Sequence, residues 1–155
     1  EKLQTWGSHI DPRAVPGNTP EQVQALVTSL QALAYRIKEL VEAREYPQAD
    51  LLVRELLEDV RGWRIAIERL FQHWATDPAS EPGDDLEARL QTRLAKLEAR
   101  IEETLGLAEQ GQLSDKDYEN FYRLLGAFRG LSEAVVEHAR LAADIRWARW
   151  QEARF

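Results

Sequence analysis

The chain has 155 residues, a length that suits one domain with a sizeable hydrophobic core. Hydrophobic residues make up 44% of it and charged residues 30%, which predicts a globular rather than a disordered protein. The net charge of −7 argues against nucleic acid as the main partner, because phosphate binding needs a clustered basic face. The absence of cysteine excludes thiol nucleophiles, disulfides and thiolate metal sites.

The first 18 residues predict an irregular lead-in, because "EKLQTWGSHIDPRAVPGN" contains two Pro, two Gly and no helical period. Residues 19–155 are expected to form a single helical domain. The chain starts at Glu1 and contains no Met, so we expect it to have been cut from a longer protein. No apolar run approaches the ~20 residues of a membrane span, and no signal peptide is visible.

Two amphipathic helices are predicted in the first half of the chain. Thr19, Pro20 and Gln22 form a helix-start signal with a capping box. The apolar positions that follow have helical spacing and predict a helix that stops near Tyr46-Pro47: Val23, Leu26, Val27, Leu30, Leu33, Ala34, Ile37, Leu40 and Val41. A second helix is predicted from about Pro47 to Ala75, followed by the loop "TDPASEPGD".

Two further helices are predicted in the second half. The third spans about Asp85 to Gln110 and stops at Gly111. The fourth starts with Ser114 as its cap and Asp117 at the third position, and it is expected to continue to Trp150. Its Gly126 and Gly130 indicate either the close approach of a neighbouring helix or a ligand-lined gap.

The predicted fold is all-α, an up-down-up-down four-helix bundle with a long overhanging C-terminal helix. At 1.5 Å per residue, the fourth helix would be about 54 Å long and would overhang its neighbours by roughly 10 Å. In this order the end of the fourth helix lies beside the start of the first and the end of the second. We therefore expect Trp6, Trp74, Trp147 and Trp150 to gather where both chain termini emerge.

The histidines and the one serine-histidine-aspartate neighbourhood give no catalytic pattern. His9, His73 and His138 form neither an HExxH motif nor a Glu-x-x-His pair, so we expect no metal and no cofactor. Ser8, His9 and Asp11 are neighbours in a loop without a nucleophile elbow. The sequence therefore predicts that the chain is not an enzyme.

The C-terminal segment "DIRWARWQEARF" combines aromatic and arginine residues in a way that leaves three interpretations open. Its side chains close the end of the bundle, form an interface with another subunit, or lie at a membrane surface. The candidate membrane-proximal or interface residues are Trp6, Trp74, Arg146, Trp147, Arg149, Trp150, Arg154 and Phe155.

Three stretches resemble the fusaric acid resistance-like (FUSC) family of bacterial inner-membrane proteins, which includes aromatic acid exporters. They are "SLQALAYRIKELVEAR" (29–44), "YRLLGAFRGLSEAVVEHARLAADIRWARWQEARF" (122–155) with its Trp-x-x-Trp pattern, and the lead-in "WGSHIDPRAVPGNTP". The resemblance covers about half of the chain. It rests on the order of the three stretches and on the pattern at the C-terminus.

The resemblance implies a non-catalytic soluble domain of an efflux transporter of small organic acids, with aromatic acids as one class. Such a domain would assemble or brace the membrane part from the cytoplasmic side of the inner membrane. Its expected partners are its own transmembrane domain, the nearby membrane surface and further copies in a homo-oligomer. No family substrate-binding motif transfers to these residues. The alternative is a free-standing helical protein-protein interaction module that dimerises through a bundle face.

Overall fold

The fold is described by a computed structural model that covers residues 17–77 and 86–147. It contains four α-helices, which are α1 (Pro20–Arg44), α2 (Asp50–Thr76), α3 (Leu86–Leu107) and α4 (Asp115–Ala143). No strand occurs in these two ranges. The all-α prediction of a four-helix bundle is confirmed, and the up-down-up-down order of all four helices stays a prediction.

The two predicted helix caps are both present. The Thr19 hydroxyl accepts from the Gln22 N–H at 3.2 Å, and the Gln22 side chain accepts from the Thr19 N–H at 2.9 Å. At the start of α4, the Ser114 hydroxyl accepts from the Asp117 N–H at 3.1 Å. The Ser114 N–H donates to the Asp117 carboxylate, and this bond helps to hold the pKa of Asp117 below its usual value. Local sequence therefore fixes where α1 and α4 begin.

The prediction that the fourth helix continues to Trp150 is wrong, because α4 ends at Ala143. Beyond this point the chain turns inward, and Ile145 is buried against Leu26 and Ala142. With 29 residues, α4 is only two longer than α2 with 27, a difference of about 3 Å. Within the described residues, α4 therefore exceeds α1 and α2 by less than the predicted overhang of roughly 10 Å.

The core consists of two main clusters along the bundle. One is centred on Trp63 of α2 and Phe128 of α4, whose rings meet edge to face with centroids 4.7 Å apart. The Trp63 indole N–H donates to the Ser132 hydroxyl at 2.9 Å, which satisfies the one polar atom of this buried ring. The second cluster lies towards the start of α4, and it includes Leu97 of α3 and Phe121.

The closest helix pair is α1 with α4, and the two run in opposite directions. Leu26 near the start of α1 shares a cluster with Ala142 at the end of α4. Further along α1, the Arg36 side chain lies over Gly130, where an added Cβ would come within 3.0 Å of its guanidinium. A Cβ at Gly126 would meet nothing within 4 Å. Close approach, one of the two interpretations of this glycine pair, therefore holds at Gly130 only.

The apolar positions of α1 do not all face the core, contrary to their regular spacing. Leu33 and Leu26 are buried, whereas Leu30 is 40% exposed and Val41 is 54% exposed. The physical reason is that α4 covers only one side of a broad apolar arc. Leu30 lies a turn beyond Leu26 but is rotated by about 40° around the helix axis, towards solvent.

Core and exposed leucines should therefore respond differently to truncation. We predict that Leu97→Ala lowers the free energy of unfolding by about 2–5 kcal/mol, because Leu97 is 2% exposed and its removal leaves a cavity. Leu30→Ala should cost less than about 1 kcal/mol, because much of this side chain already contacts water. Urea unfolding of both variants measures the difference, and equal losses would contradict the observed rotation of α1.

Candidate functional site

The residues predicted to form a membrane-proximal or interface site lie only partly within the described chain. Trp74, Arg146 and Trp147 are described. Trp6, Arg149, Trp150, Arg154 and Phe155 lie outside the described residues, so their predicted gathering at one end of the bundle stays a prediction. The described members occupy the end of the bundle where α1 begins and where α2 and α4 end.

Trp147 packs against this end of the bundle. Its ring contacts the cluster formed by Leu26, Ala142 and Ile145, and the side chain is half-buried. Its indole N–H donates to the Ala142 carbonyl at 2.9 Å, which satisfies one of the last carbonyls of α4. Trp147 therefore closes the end of α4, as the first of the three interpretations of the segment expects for this residue.

The side chain of Asn18 joins the two ends of the described chain. Its amide oxygen accepts from the Arg146 N–H at 2.7 Å, and its amide nitrogen donates to the Arg146 carbonyl at 3.5 Å. The two residues are 128 positions apart. We call this two-point contact the Asn18–Arg146 clasp. It places the chain before α1 and the chain after α4 side by side, while the Arg146 side chain remains exposed.

Trp74 lies near the end of α2 and packs against α4. Its ring meets the His138 ring edge to face, with centroids 4.7 Å apart, and Phe71 lies 5.9 Å from it. The indole nitrogen of Trp74 is buried and has no hydrogen-bond partner among the described residues. Trp74 and Trp147 thus occupy the same end but belong to separate clusters, since Trp74 packs on the cluster centred on Trp63.

His138 is the buried polar centre of this end. Its Nδ1 lies 2.8 Å from the Ser29 hydroxyl of α1, and that hydroxyl donates to the Leu26 carbonyl at 2.7 Å. Since a hydroxyl carries one proton, the arrangement is satisfied when His138 Nδ1–H donates to Ser29. Burial lowers the pKa of His138, because the charged imidazolium loses hydration there. No role was predicted for His138, because its contact with Ser29 spans 109 positions that only folding brings together.

A groove of about 390 Å³ lies between α1 and α4 at the level of Gly126. Arg36 and Arg123 line it, but Arg36 pairs with Glu39 at 2.7 Å and Arg123 pairs with Glu119 at 3.2 Å. The Arg123 guanidinium also lies 4.0 Å above the Tyr46 ring. Both cations are therefore neutralised, and the groove presents no unpaired charge that would bind an anion.

The described residues contain no group of three or more His, Asp or Glu side chains placed to hold a metal ion. Within 17–77 and 86–147, no helix combines the length and the apolar character needed to cross a bilayer. No family model, curated protein or solved structure matches the chain.

The buried His138 should make stability depend on pH. Its folded-state pKa is depressed below 6.5, so the unfolded chain takes up a proton near pH 6.5 that the folded chain does not. The free energy of unfolding should therefore fall as the pH decreases from about 7 through this window. In His138→Gln this component is absent, so the stability difference between the wild type and the variant should shrink as the pH falls.

Urea unfolding of both proteins between about pH 5 and 8 measures this difference. The other titrating groups occur in both proteins and largely cancel. A difference that stays constant with pH would mean that His138 titrates as it does in water, and that burial does not control its protonation.

Proposed function

We propose that the chain is a non-catalytic helical domain of a bacterial inner-membrane efflux transporter of small organic acids, and that it assembles or braces the membrane part. The observation that carries this proposal is the Asn18–Arg146 clasp. It joins the chain before α1 to the chain after α4, so the bundle has a single point at which a larger protein can hold it. Such an attachment suits a domain carried by membrane helices.

The composition of this end also supports the proposal. The Arg146 side chain of the clasp is exposed and the half-buried Trp147 follows it, and indole rings and guanidinium groups are favoured at the headgroup level. The segment 144–155 contains Arg146, Arg149 and Arg154 against Asp144 and Glu152, a local charge of +1 in a chain of −7. An anionic cytoplasmic leaflet would attract it by only about 1 kcal/mol, so the membrane part must supply most of the proximity.

The identity of the transporter rests on the three stretches that resemble the FUSC family. The substrate class follows from that resemblance, and no substrate-binding residue is assigned to the helices of this chain. The alternative function is a free-standing helical interaction module, which the exposed apolar positions of α1 support. The two functions differ in whether the gene of the full-length protein also encodes membrane spans.

Fluorescent probes at the two ends of the bundle would test the proposal. We predict that a probe at Arg146, in the membrane-embedded full-length protein, is quenched by quenchers attached to lipid headgroups. A matched probe at Tyr46 should not be quenched, because α1 separates the two positions by about 38 Å. The Tyr46 side chain is 38% exposed, so a label at this position is tolerated.

Two results would contradict the membrane placement. Equal quenching at both positions would mean that the two ends of the bundle are equally distant from the lipid headgroups. The clasped end would then not be the membrane-proximal end. The second result is a probe at Arg146 that the lipid quenchers do not quench and that becomes buried only when subunits associate. It would assign this end to a subunit interface.

A further inference from the structure

An exposed apolar stripe runs along α1 beside the face that packs against α4. Its members are spaced as i, i+4, i+7 and i+11, which places them along one line of the helix: Leu30, Ala34, Ile37 and Val41. Leu30 and Ile37 are each 40% exposed and Val41 is 54% exposed. We call these four residues the outer stripe. The same spacing in a coiled coil marks the seam that a second helix covers.

Two residues in the first turns of α2 are also apolar and exposed. Val53 is 46% exposed and Leu57 is 54% exposed. They lie about half a turn around α2 from Asp59 and Gly62, which contact α3 through Arg100 and Arg93. Every Cα pair between α1 and α2 is more than 8 Å apart, and Leu33 of α1 shares the core cluster of Trp63 in α2.

We propose that a second copy of this chain covers the outer stripe together with Val53 and Leu57, so that the protein dimerises through the α1–α2 face. This inference rests on the assembly role proposed above, and it names the partner and the surface. It does not depend on the membrane, because an interaction module would use the same face.

The size of the face is sufficient for a dimer. With 25 residues α1 is about 38 Å long, and two neighbouring helices are about 20 Å wide. The face therefore measures about 760 Å², close to the roughly 800 Å² that each partner buries in a stable interface. A two-fold axis would place the same patch on both copies, so the apolar residues meet each other.

The charges around the face favour a second copy over a strongly charged partner. Lys38 pairs with Glu42 at 3.6 Å on α1, and Arg64 pairs with Glu68 at 3.4 Å on α2. The surroundings of the stripe are thus close to neutral, although the chain carries −7. Two acidic chains can approach each other there without strong repulsion, whereas an anionic lipid surface finds no basic patch.

The mass of the 155-residue chain in solution tests the inference. We expect sedimentation analysis over about 1–500 μM to give twice the chain mass of 17.8 kDa at the upper end. Val41→Glu and Leu57→Glu should each weaken dimerisation by about 100-fold or more, because a two-fold interface buries the introduced charge twice. Val41 and Leu57 are both exposed, so the two variants should fold, which far-UV circular dichroism checks.

Tyr35→Glu is the matched control, since Tyr35 is 59% exposed on the same helix but points away from the outer stripe. It should dimerise like the wild type. A wild-type chain that stays monomeric over the whole range would overturn the inference. So would a dimer that Tyr35→Glu weakens as much as Val41→Glu does. Neither result bears on the lipid proximity of Arg146, so failure here is distinguishable from failure of the membrane proposal.

Discussion

The packing of α1 against α4 is the interaction on which the rest of the structure depends. It joins the first described helix to the last, through contacts at several heights along the bundle. Leu26 meets Ala142 at one end, the Ser29–His138 hydrogen bond follows, and Arg36 lies over Gly130 near the middle. α2 adds Trp63 and Trp74 to this pair, through contacts with Phe128 and His138.

Two structural features on which the proposals rest follow from this one pairing. First, the antiparallel arrangement brings Asn18 to Arg146, and the clasp holds the chain before α1 next to the chain after α4. Second, α4 covers only one side of α1, so the outer stripe remains exposed beside a well-packed core. The first feature is the basis of the proposed connection to a larger protein, and the second is the basis of the proposed contact with a second copy. They lie on different parts of the bundle, so both can be used together.

The elements that sequence predicts well are those fixed by neighbouring residues. The starts of α1 and α4 are set by side chains three positions away, at Thr19 and Ser114, and both were predictable. The end of α4 was not, because it depends on Ile145 reaching Leu26 and on Asn18 holding Arg146 from 128 positions away. Helical period also could not tell which part of the apolar arc of α1 faces α4, since the rotation of a helix depends on its partner.

In the candidate site, too, some features could be predicted from the sequence and others depend on distant contacts. Trp74 and Trp147 could be assigned to the end where α2 and α4 terminate, because helix lengths alone place them there. Their individual contacts could not be predicted, and neither could the burial of His138 against Ser29. Asn18 was assigned to the irregular lead-in. The signal for its role was an Asn directly before the capped start of a helix, a residue type whose short amide readily bonds to backbone.

Native-state hydrogen exchange of the 155-residue chain tests the dependence on the α1–α4 pair most directly. If this pair is the central unit, the protected amides of α1 and α4 open together, with the same free energy and the same response to denaturant. Asn18→Ala should then lower protection in both helices equally. An α1 that opens at a lower free energy than α4, and that alone responds to Asn18→Ala, would contradict the account.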